Sequence, residues 1–355
     1  MSENSCKKEI KKTSIGGQAL IEGVMMKGPH TSAMAISKQD GSITVETWAT
    51  GGGKWYSKVP VVRGVVNFIS MLFQGYKCLM RSAELSGFAE DEEPSKFDKW
   101  MDAHLGKGAV WIFNILVTVF AVLIAVGLFM LLPSAIVKYA GALTSAPAAV
   151  LTLIEGVLKI AIFVLYLFAV TRMSDIHRVF EYHGAEHKTI ACYEAGDELT
   201  PENAKKYIRF HPRCGTSFLL IVLVVSILVF SLLTWDSVWM RVGLKLLLLP
   251  VVVGISYEII RFAGRHNNPV TRVISAPGLW LQRLTTFEPD LTQLEVAIAA
   301  MKPCIPKNGT DDLYEPAQLR RGPAGPRRIL SVGAFFYDVA NGLSKCIRVP
   351  WTGFV

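Results

Sequence analysis

Residues Ala109–Leu132 read AVWIFNILVTVFAVLIAVGLFMLL, a run of 24 residues without a charged side chain. An α-helix of that length is about 36 Å long, which is enough to cross the ~30 Å hydrocarbon core of a bilayer. Three more apolar runs follow, at Pro147–Val170, Ser217–Trp235 and Val238–Ile260. Since 51% of the 355 residues are hydrophobic, the sequence predicts a mostly α-helical membrane protein with about four transmembrane helices.

The basic residues lie between the apolar runs rather than in one patch. The formal net charge is +8, but the lysines and arginines form no stripe interleaved with aromatic residues, so the lipid bilayer and not nucleic acid is the expected partner. The loop between Leu132 and Pro147 holds one basic residue, residues 171–216 hold seven, and the chain after Ile260 holds twelve. The positive-inside rule then predicts a multi-pass topology with both termini and the 171–216 loop in the cytoplasm.

Two segments precede the membrane-directed part of the chain. Residues 1–13 form a basic, polar tail without the apolar region of a signal peptide, so the first span is expected to direct the chain to the membrane. Residues 14–60 are predicted to be a β-rich module, because the strand-like runs Ala33–Lys38 and Ser42–Trp48 flank Asp40-Gly41, which is a hairpin signal.

The rest of the chain divides at changes in composition. Near the end, Leu291–Met301 is predicted to be a short helix, and the preceding basic segment is punctuated by Ala276-Pro277-Gly278. Residues 61–108 are predicted to form an amphipathic interfacial helix followed by an acidic linker. Residues 109–260 are predicted to form a four-span membrane domain that includes the cytoplasmic loop 171–216. An interfacial or cytoplasmic segment is predicted at 261–302 and a flexible tail at 303–355.

Two of the apolar runs contain charged residues. Glu155 and Lys159 are i, i+4 neighbours in the second run, where they either line a cavity or form a self-satisfied structural ion pair. Arg241 and Lys245 lie near the start of the fourth run, close enough to reach the membrane surface or to meet Asp236.

The stretch from Glu181 to Ser217 holds the residues that indicate chemistry. A helix over His177–Ala195, ended by Gly196, places His183, Glu186 and His187 at i, i+3 and i+4 on one face. This is the H-x-x-E-H pattern of a metal site, in which two imidazoles bind one ion and the carboxylate faces a metal-bound water. A solvated helix face with salt bridges gives the same pattern without metal.

A catalytic zinc ion usually has a third protein ligand, which must come from outside this helix. His211 and Cys214 are the nearest candidates. His211 is the preferred one, because Pro212 keeps it out of a regular helix and because a thiolate would lower the Lewis acidity of the metal. The alternative for His211 is to cap the start of the third span. Further candidates are Glu194, if the helix bends, and Glu22, which is otherwise a charge in a packed loop.

Three motifs together resemble a family of bacterial membrane proteins, the YqhQ-like family, over roughly Ser14 to Lys302. They are the opening Gly16–Met26, the segment Tyr182–Lys188 (YHGAEHK) and the segment His211–Ser217 (HPRCGTS). The resemblance implies a multi-pass protein of the bacterial cell membrane, and members of the family have been described as predicted metal-dependent enzymes.

The expected function is that of a membrane-embedded, metal-dependent hydrolase acting at the cytoplasmic face. His183 and His187 would bind a divalent metal, zinc by ligand type, with His211 or Cys214, and Glu186 would act as general base. The substrate would be membrane-bound, either a lipid headgroup or a peptide segment. The alternative is a non-enzymatic membrane scaffold or transport-related protein, in which the metal site is structural or sensory.

Overall fold

A computed structural model of the chain describes residues 13–51, 58–87, 107–144, 147–231, 238–266 and 268–306. These residues are mostly helical, with one small antiparallel sheet at the N-terminal end. The helices are α1 (Val62–Leu85), α2 (Lys107–Val126), a π-helical turn (Gly127–Leu131), α3 (Leu132–Leu143), α4 (Ala148–Val170), α5 (Ser174–Glu194), α6 (Pro201–Lys205), α7 (Gly215–Ser231), α8 (Val238–Arg265), α9 (Pro269–Thr285), α10 (Leu291–Met301) and a 3₁₀ turn (Lys302–Cys304).

The sheet contains four strands in chain order, namely β1 (Gly16–Leu20), β2 (Gly23–Lys27), β3 (Thr31–Ser37) and β4 (Ile43–Ala49). The predicted hairpin between β3 and β4 is confirmed. Gly41 takes a left-handed φ of 78°, and the Asp40 carboxylate accepts a hydrogen bond from the Ser42 backbone N–H at 2.8 Å. The β1–β2 hairpin was not predicted as strands, because its sequence lacks a glycine at the left-handed turn position, which Glu22 occupies with φ 50°.

Three helical windows within the described residues are long and apolar enough to cross a membrane. They are Ile115–Leu143, Val150–Val170 and Gly243–Gly264, with 29, 21 and 22 residues. The first of them continues through the π-helical turn to Leu143, so the predicted loop after Leu132 is largely helical. The third predicted span corresponds to α7, which is apolar but has 17 described residues, or about 25 Å of helix. Residues 232–237, which follow it, lie outside the described part of the chain.

The main buried core joins the sheet to helices from distant parts of the sequence. One face of the sheet packs against α5 and α10, so residues 14–60 share their core with the middle and the end of the chain. The predicted helix Leu291–Met301 is confirmed, and an Asp290 capping box begins it. The preceding segment is helical as α9, and Pro277 lies inside it. The core includes Val24, Met26, Ala33, Ala35, Tyr182, Ala185, Ile190, Leu294, Ala297 and Met301.

The segment predicted as an amphipathic interfacial helix forms α1. Its glycines allow close packing on one side, since a Cβ at Gly64 would lie 2.7 Å from Tyr257 Cβ of α8, and a Cβ at Gly75 would lie 2.4 Å from Gln18 Oε1 of β1. The opposite face exposes Ile69, Leu72, Phe73, Tyr76 and Met80. Most of the predicted acidic linker and all but the start of the predicted tail lie outside the described residues.

Candidate metal centre

Helix α5 carries two of the histidines and the carboxylate of the predicted site. It extends from Ser174 to Glu194, and Gly196, with a left-handed φ of 71°, follows its end. Strand β1 approaches the Glu186 side chain so closely that a Cβ at Gly17 would lie 2.9 Å from Glu186 Cδ. The helix therefore brings its motif against the sheet rather than into solvent.

Backbone carbonyls orient both histidine rings. His183 Nδ1 lies 2.7 Å from the Thr285 carbonyl oxygen, and His187 Nδ1 lies 2.6 Å from the Arg209 carbonyl oxygen. A carbonyl can only accept a hydrogen bond, so each Nδ1 is the protonated donor and each Nε2 is left to face the site. Histidines that bind metals are commonly oriented in this way. The ring centroids are 4.5 Å apart.

Cys214, immediately before α7, completes the group. Its Sγ lies 3.1 Å from His183 Nε2 and 3.4 Å from the Thr216 backbone N–H nitrogen, which donates to it. One ligand atom from each of His183, His187 and Cys214 lies within 4.8 Å of the other two. Two imidazole nitrogens and a thiolate are a ligand set that suits zinc.

The electrostatics of the group favour a thiolate. Burial opposes ionisation of Cys214, but His183 and His187 outweigh it and hold the pKa of the thiol well below its usual value. For His183, burial acts to lower the pKa, whereas Cys214 and then Glu186 raise it to about 9. The two shifts together favour an imidazolium next to a thiolate, and a metal ion bound there would compete with the imidazolium proton.

Glu186 is buried next to the ligands, with 5% of its surface exposed. Burial raises the pKa of its carboxyl group, and the nearby His187 and His183 partly offset that effect. Glu186 Oε2 and His187 Nε2 are buried without a hydrogen-bond partner. Each such group costs about 1–3 kcal/mol. A metal ion at His187 with a water molecule reaching Glu186 would satisfy both, so the residues present fit a metal.

His211 lies beside this group but is not one of its three members, so the preference for it over Cys214 as third ligand stays a prediction. Its backbone N–H donates to Gln282 Oε1 at 2.8 Å, and its carbonyl accepts from Gln282 Nε2 at 2.7 Å. Its ring centroid is 5.6 Å from that of His187, and its Nε2 is 3.3 Å from the Arg213 guanidinium and 4.0 Å from Glu194. His211 therefore supports the loop that carries Cys214.

The two further carboxylate candidates are also engaged elsewhere. Glu22 pairs with Arg178 and accepts a hydrogen bond from the Tyr182 hydroxyl at 3.2 Å. Glu194 pairs with Arg213 and accepts from the Thr13 backbone N–H at 2.8 Å. Neither belongs to the ligand group within the described residues.

Residues 59–307 match a protein family whose description is "Protein of unknown function (DUF1385)". The chain belongs to the DUF1385 family. It is 35% identical over 292 residues to "Uncharacterized protein YqhQ" of Bacillus subtilis (strain 168), an alignment that covers 80% of this chain and 89% of the relative. No solved structure matches the chain. The DUF1385 segment contains His183, Glu186, His187 and Cys214, and the resemblance expected from the motifs is confirmed.

Proposed function

We propose that this protein is a membrane-embedded, metal-dependent hydrolase in which His183, His187 and Cys214 bind one divalent metal ion, zinc by ligand type. The observation that carries the proposal is the convergence of three ligand atoms within 4.8 Å, with both histidine rings oriented by backbone carbonyls. Three protein ligands leave the fourth position of a tetrahedral ion open, as in catalytic rather than closed structural zinc sites.

Glu186 is the proposed general base. When bound, the metal would lower the pKa of a coordinated water toward ~7 and polarise the substrate carbonyl or phosphoryl group. The buried carboxylate oxygen without a partner, Oε2, is free to accept a proton from that water. Because burial raises the pKa of Glu186, the carboxyl group can hold the proton and pass it to the leaving group.

The position of the centre in the chain favours a membrane-bound substrate. Helix α4, a candidate span, ends at Val170, four residues before α5 begins at Ser174. Cys214 directly precedes the apolar helix α7. The centre is thus connected to the end of the apolar helices on two sides, where lipid headgroups or membrane peptides are within reach. The many basic residues of the 171–216 loop favour the cytoplasmic face.

The test compares zinc-loaded wild-type protein with Glu186→Gln in nanodiscs of bacterial lipid extract, to which membrane peptides are added. Glu186→Gln removes the proton acceptor with little change of shape. We expect it to keep its metal, measured by elemental analysis, while hydrolysis products found by mass spectrometry with the wild type disappear. Equal products from both proteins would exclude Glu186 as the base.

A structural or sensory metal site on a membrane scaffold is the second candidate. The observation that favours it is burial, since His187 is 1% exposed and Cys214 is 7% exposed. In that case the wild type binds metal but forms no products in the same assay, and metal removal lowers the midpoint of thermal unfolding. Glu186→Gln would then match the wild type in every measurement.

A further inference from the structure

A second cluster of charged side chains lies where α3, α4 and α8 meet. Glu155 of α4 accepts hydrogen bonds at Oε1 from Lys159 Nζ at 2.6 Å and from Lys245 Nζ of α8 at 3.1 Å. The Ser134 hydroxyl of α3 donates to the same oxygen at 2.8 Å. We call these four side chains the membrane charge cluster. It is well shielded, since Glu155 and Lys245 are 8% and 7% exposed.

The cluster carries more positive than negative charge. One carboxylate faces two ammonium groups, which leaves a charge of +1. The sequences of α2, α3, α4, α7 and α8 contain one other acidic residue, Glu258, which binds Arg63. Glu258 also lies 13 positions beyond Lys245, or about 20 Å along the helix. Among the described residues, Glu155 is thus the one carboxylate paired with either lysine.

An uncompensated ammonium group is costly among apolar helices, by several kcal/mol. The ring of Phe230, with its centroid 5.8 Å from Lys245 Nζ, provides only a weak cation–π contact at that distance. A bound monoanion would balance the charge and accept the remaining ammonium protons. The phosphodiester of a lipid without a cationic headgroup has one net negative charge and strong acceptor oxygens, so it matches both requirements, whereas the choline of phosphatidylcholine neutralises its own phosphate.

The depth of the cluster suits a lipid phosphate. Glu155 lies seven residues after the start of α4 at Ala148, and Lys245 lies seven residues after the start of α8 at Val238, which is about 10 Å from those helix ends. The opposite end of α4 leads to the metal centre. Lysine side chains extend toward the membrane surface, so the two ammonium groups can approach headgroups of the leaflet far from the metal centre.

We propose that the membrane charge cluster binds the phosphate of an anionic phospholipid from that leaflet through Lys159 and Lys245. Glu155 holds the two ammonium groups side by side and leaves one net charge for the ligand. The inference rests on the candidate spans and is independent of metal binding.

The experiment uses the full chain, purified in detergent and exchanged into phosphatidylcholine micelles with or without phosphatidylglycerol. In the wild type, phosphatidylglycerol should raise the midpoint of thermal unfolding and remain bound in native mass spectrometry. Lys245→Met should bind it about tenfold or more weakly, the loss expected for one charged hydrogen bond. In phosphatidylcholine alone, Lys245→Met should be at least as stable as the wild type, because it removes the uncompensated charge.

Two further variants and a second anion test whether the cluster itself recognises the lipid phosphate. Lys138→Met removes the same charge from an exposed position on α3 and should leave the phosphatidylglycerol effect intact. Lys159→Met is the second cluster variant and should also lose the effect. Inorganic phosphate is the second anion. If it stabilises the wild type but not Lys245→Met, the cluster is an anion-binding site whose ligand is a free oxyanion and not a lipid.

Three results would overturn the proposal. The first is equal stabilisation of wild type and Lys245→Met by phosphatidylglycerol. The second is a marked loss of stability of Lys245→Met in phosphatidylcholine alone, since Lys245 would then serve only as the partner of Glu155. The third is a marked loss of stability of Asp236→Asn in phosphatidylcholine alone. That result would show that Asp236, and not a lipid, supplies the negative charge that balances the cluster.

Discussion

The candidate metal centre and the membrane charge cluster both gather ionisable side chains, but backbone groups hold the first in place and side chains hold the second. At the metal centre, backbone carbonyls of Thr285 and Arg209 set the tautomer and direction of each imidazole ring. In the membrane charge cluster, hydrogen bonds run between side chains and converge on Glu155 Oε1. Imidazole rings held in fixed directions suit a metal ion, because metal–ligand bonds are directional. Lysine ammonium groups are flexible point charges, which suit an anion whose charge is spread over several oxygens.

The largest expected effect is the loss of metal from His187→Ala. Detergent-purified wild type should contain about one zinc per chain, and this variant less than about a tenth of that, since a ligand is removed. His177→Ala, on the same helix but at a half-exposed position outside the ligand group, should keep its metal, as should Lys245→Met. Full metal content in His187→Ala would show that His187 is not a metal ligand, and the proposed difference between the two clusters would no longer hold.

Gly184→Ala tests whether the candidate metal centre depends on the close approach of α5 to the backbone at Phe287. A Cβ at this position would lie 2.0 Å from the Phe287 carbonyl oxygen, so α5 and the segment after α9 must separate. We expect a loss of about 2–4 kcal/mol in the free energy of unfolding, measured by denaturant titration, together with weaker metal binding. Gly16→Ala, where a Cβ has no neighbour within 4 Å, should be nearly neutral.

Gln282→Ala removes the side chain that supports the Cys214 loop and also contacts the Ser217 hydroxyl at the start of α7. It removes both hydrogen bonds to the His211 backbone without touching a ligand. Competition with a zinc-binding dye should show an affinity about 10–100-fold lower, the usual effect of losing such support. Gln74→Ala on α1 serves as the amide control. An unchanged affinity would mean that the loop holds its position without Gln282.

Cys214 should react with iodoacetamide faster than the other described cysteines once metal is removed. Its pKa is held well below that of an ordinary thiol, so its rate should rise less steeply between about pH 6 and 8 than the rates of the other cysteines. Burial raises the pKa of Cys78 and raises that of Cys304 to about 11, so their rates should increase with pH. Peptide mass spectrometry gives each rate, and added zinc should protect Cys214. A rate for Cys214 that rises tenfold per pH unit would show a neutral thiol.

The smallest effect is expected for Ser134→Ala in the membrane charge cluster. It deletes one of three donors to Glu155, and both lysines remain. The loss should be about 1 kcal/mol of unfolding free energy, with zinc content and phosphatidylglycerol binding unchanged. A loss of lipid binding as large as that of Lys245→Met would assign the hydroxyl a direct role.

Features determined by nearby residues were predictable from the sequence, and those set by distant contacts were not. The Asp40-Gly41 hairpin, helix α5 and helix α10 each have local turn or capping signals. The position of His211 outside the candidate ligand group depends on its hydrogen bonds to Gln282, which lies 71 positions away along the chain. Lys245 contacts Glu155, 90 positions away, and its expected neighbour Asp236 lies outside the described residues. Carbonyl acceptors such as Thr285 O have no sequence signature, because every residue carries one.

The hydrogen bond from His183 to the Thr285 carbonyl has a consequence for the order of biosynthesis. The chain is made from the N-terminus, so β1, α5 and Cys214 are all synthesised before α9 supplies that carbonyl, and α10 closes the core later still. The apolar helices α2 to α8 have by then left the ribosome. The His183 ring is therefore oriented only after those helices have been made, and if the proposed metal binds, we expect its acquisition to be a late step in the maturation of the protein.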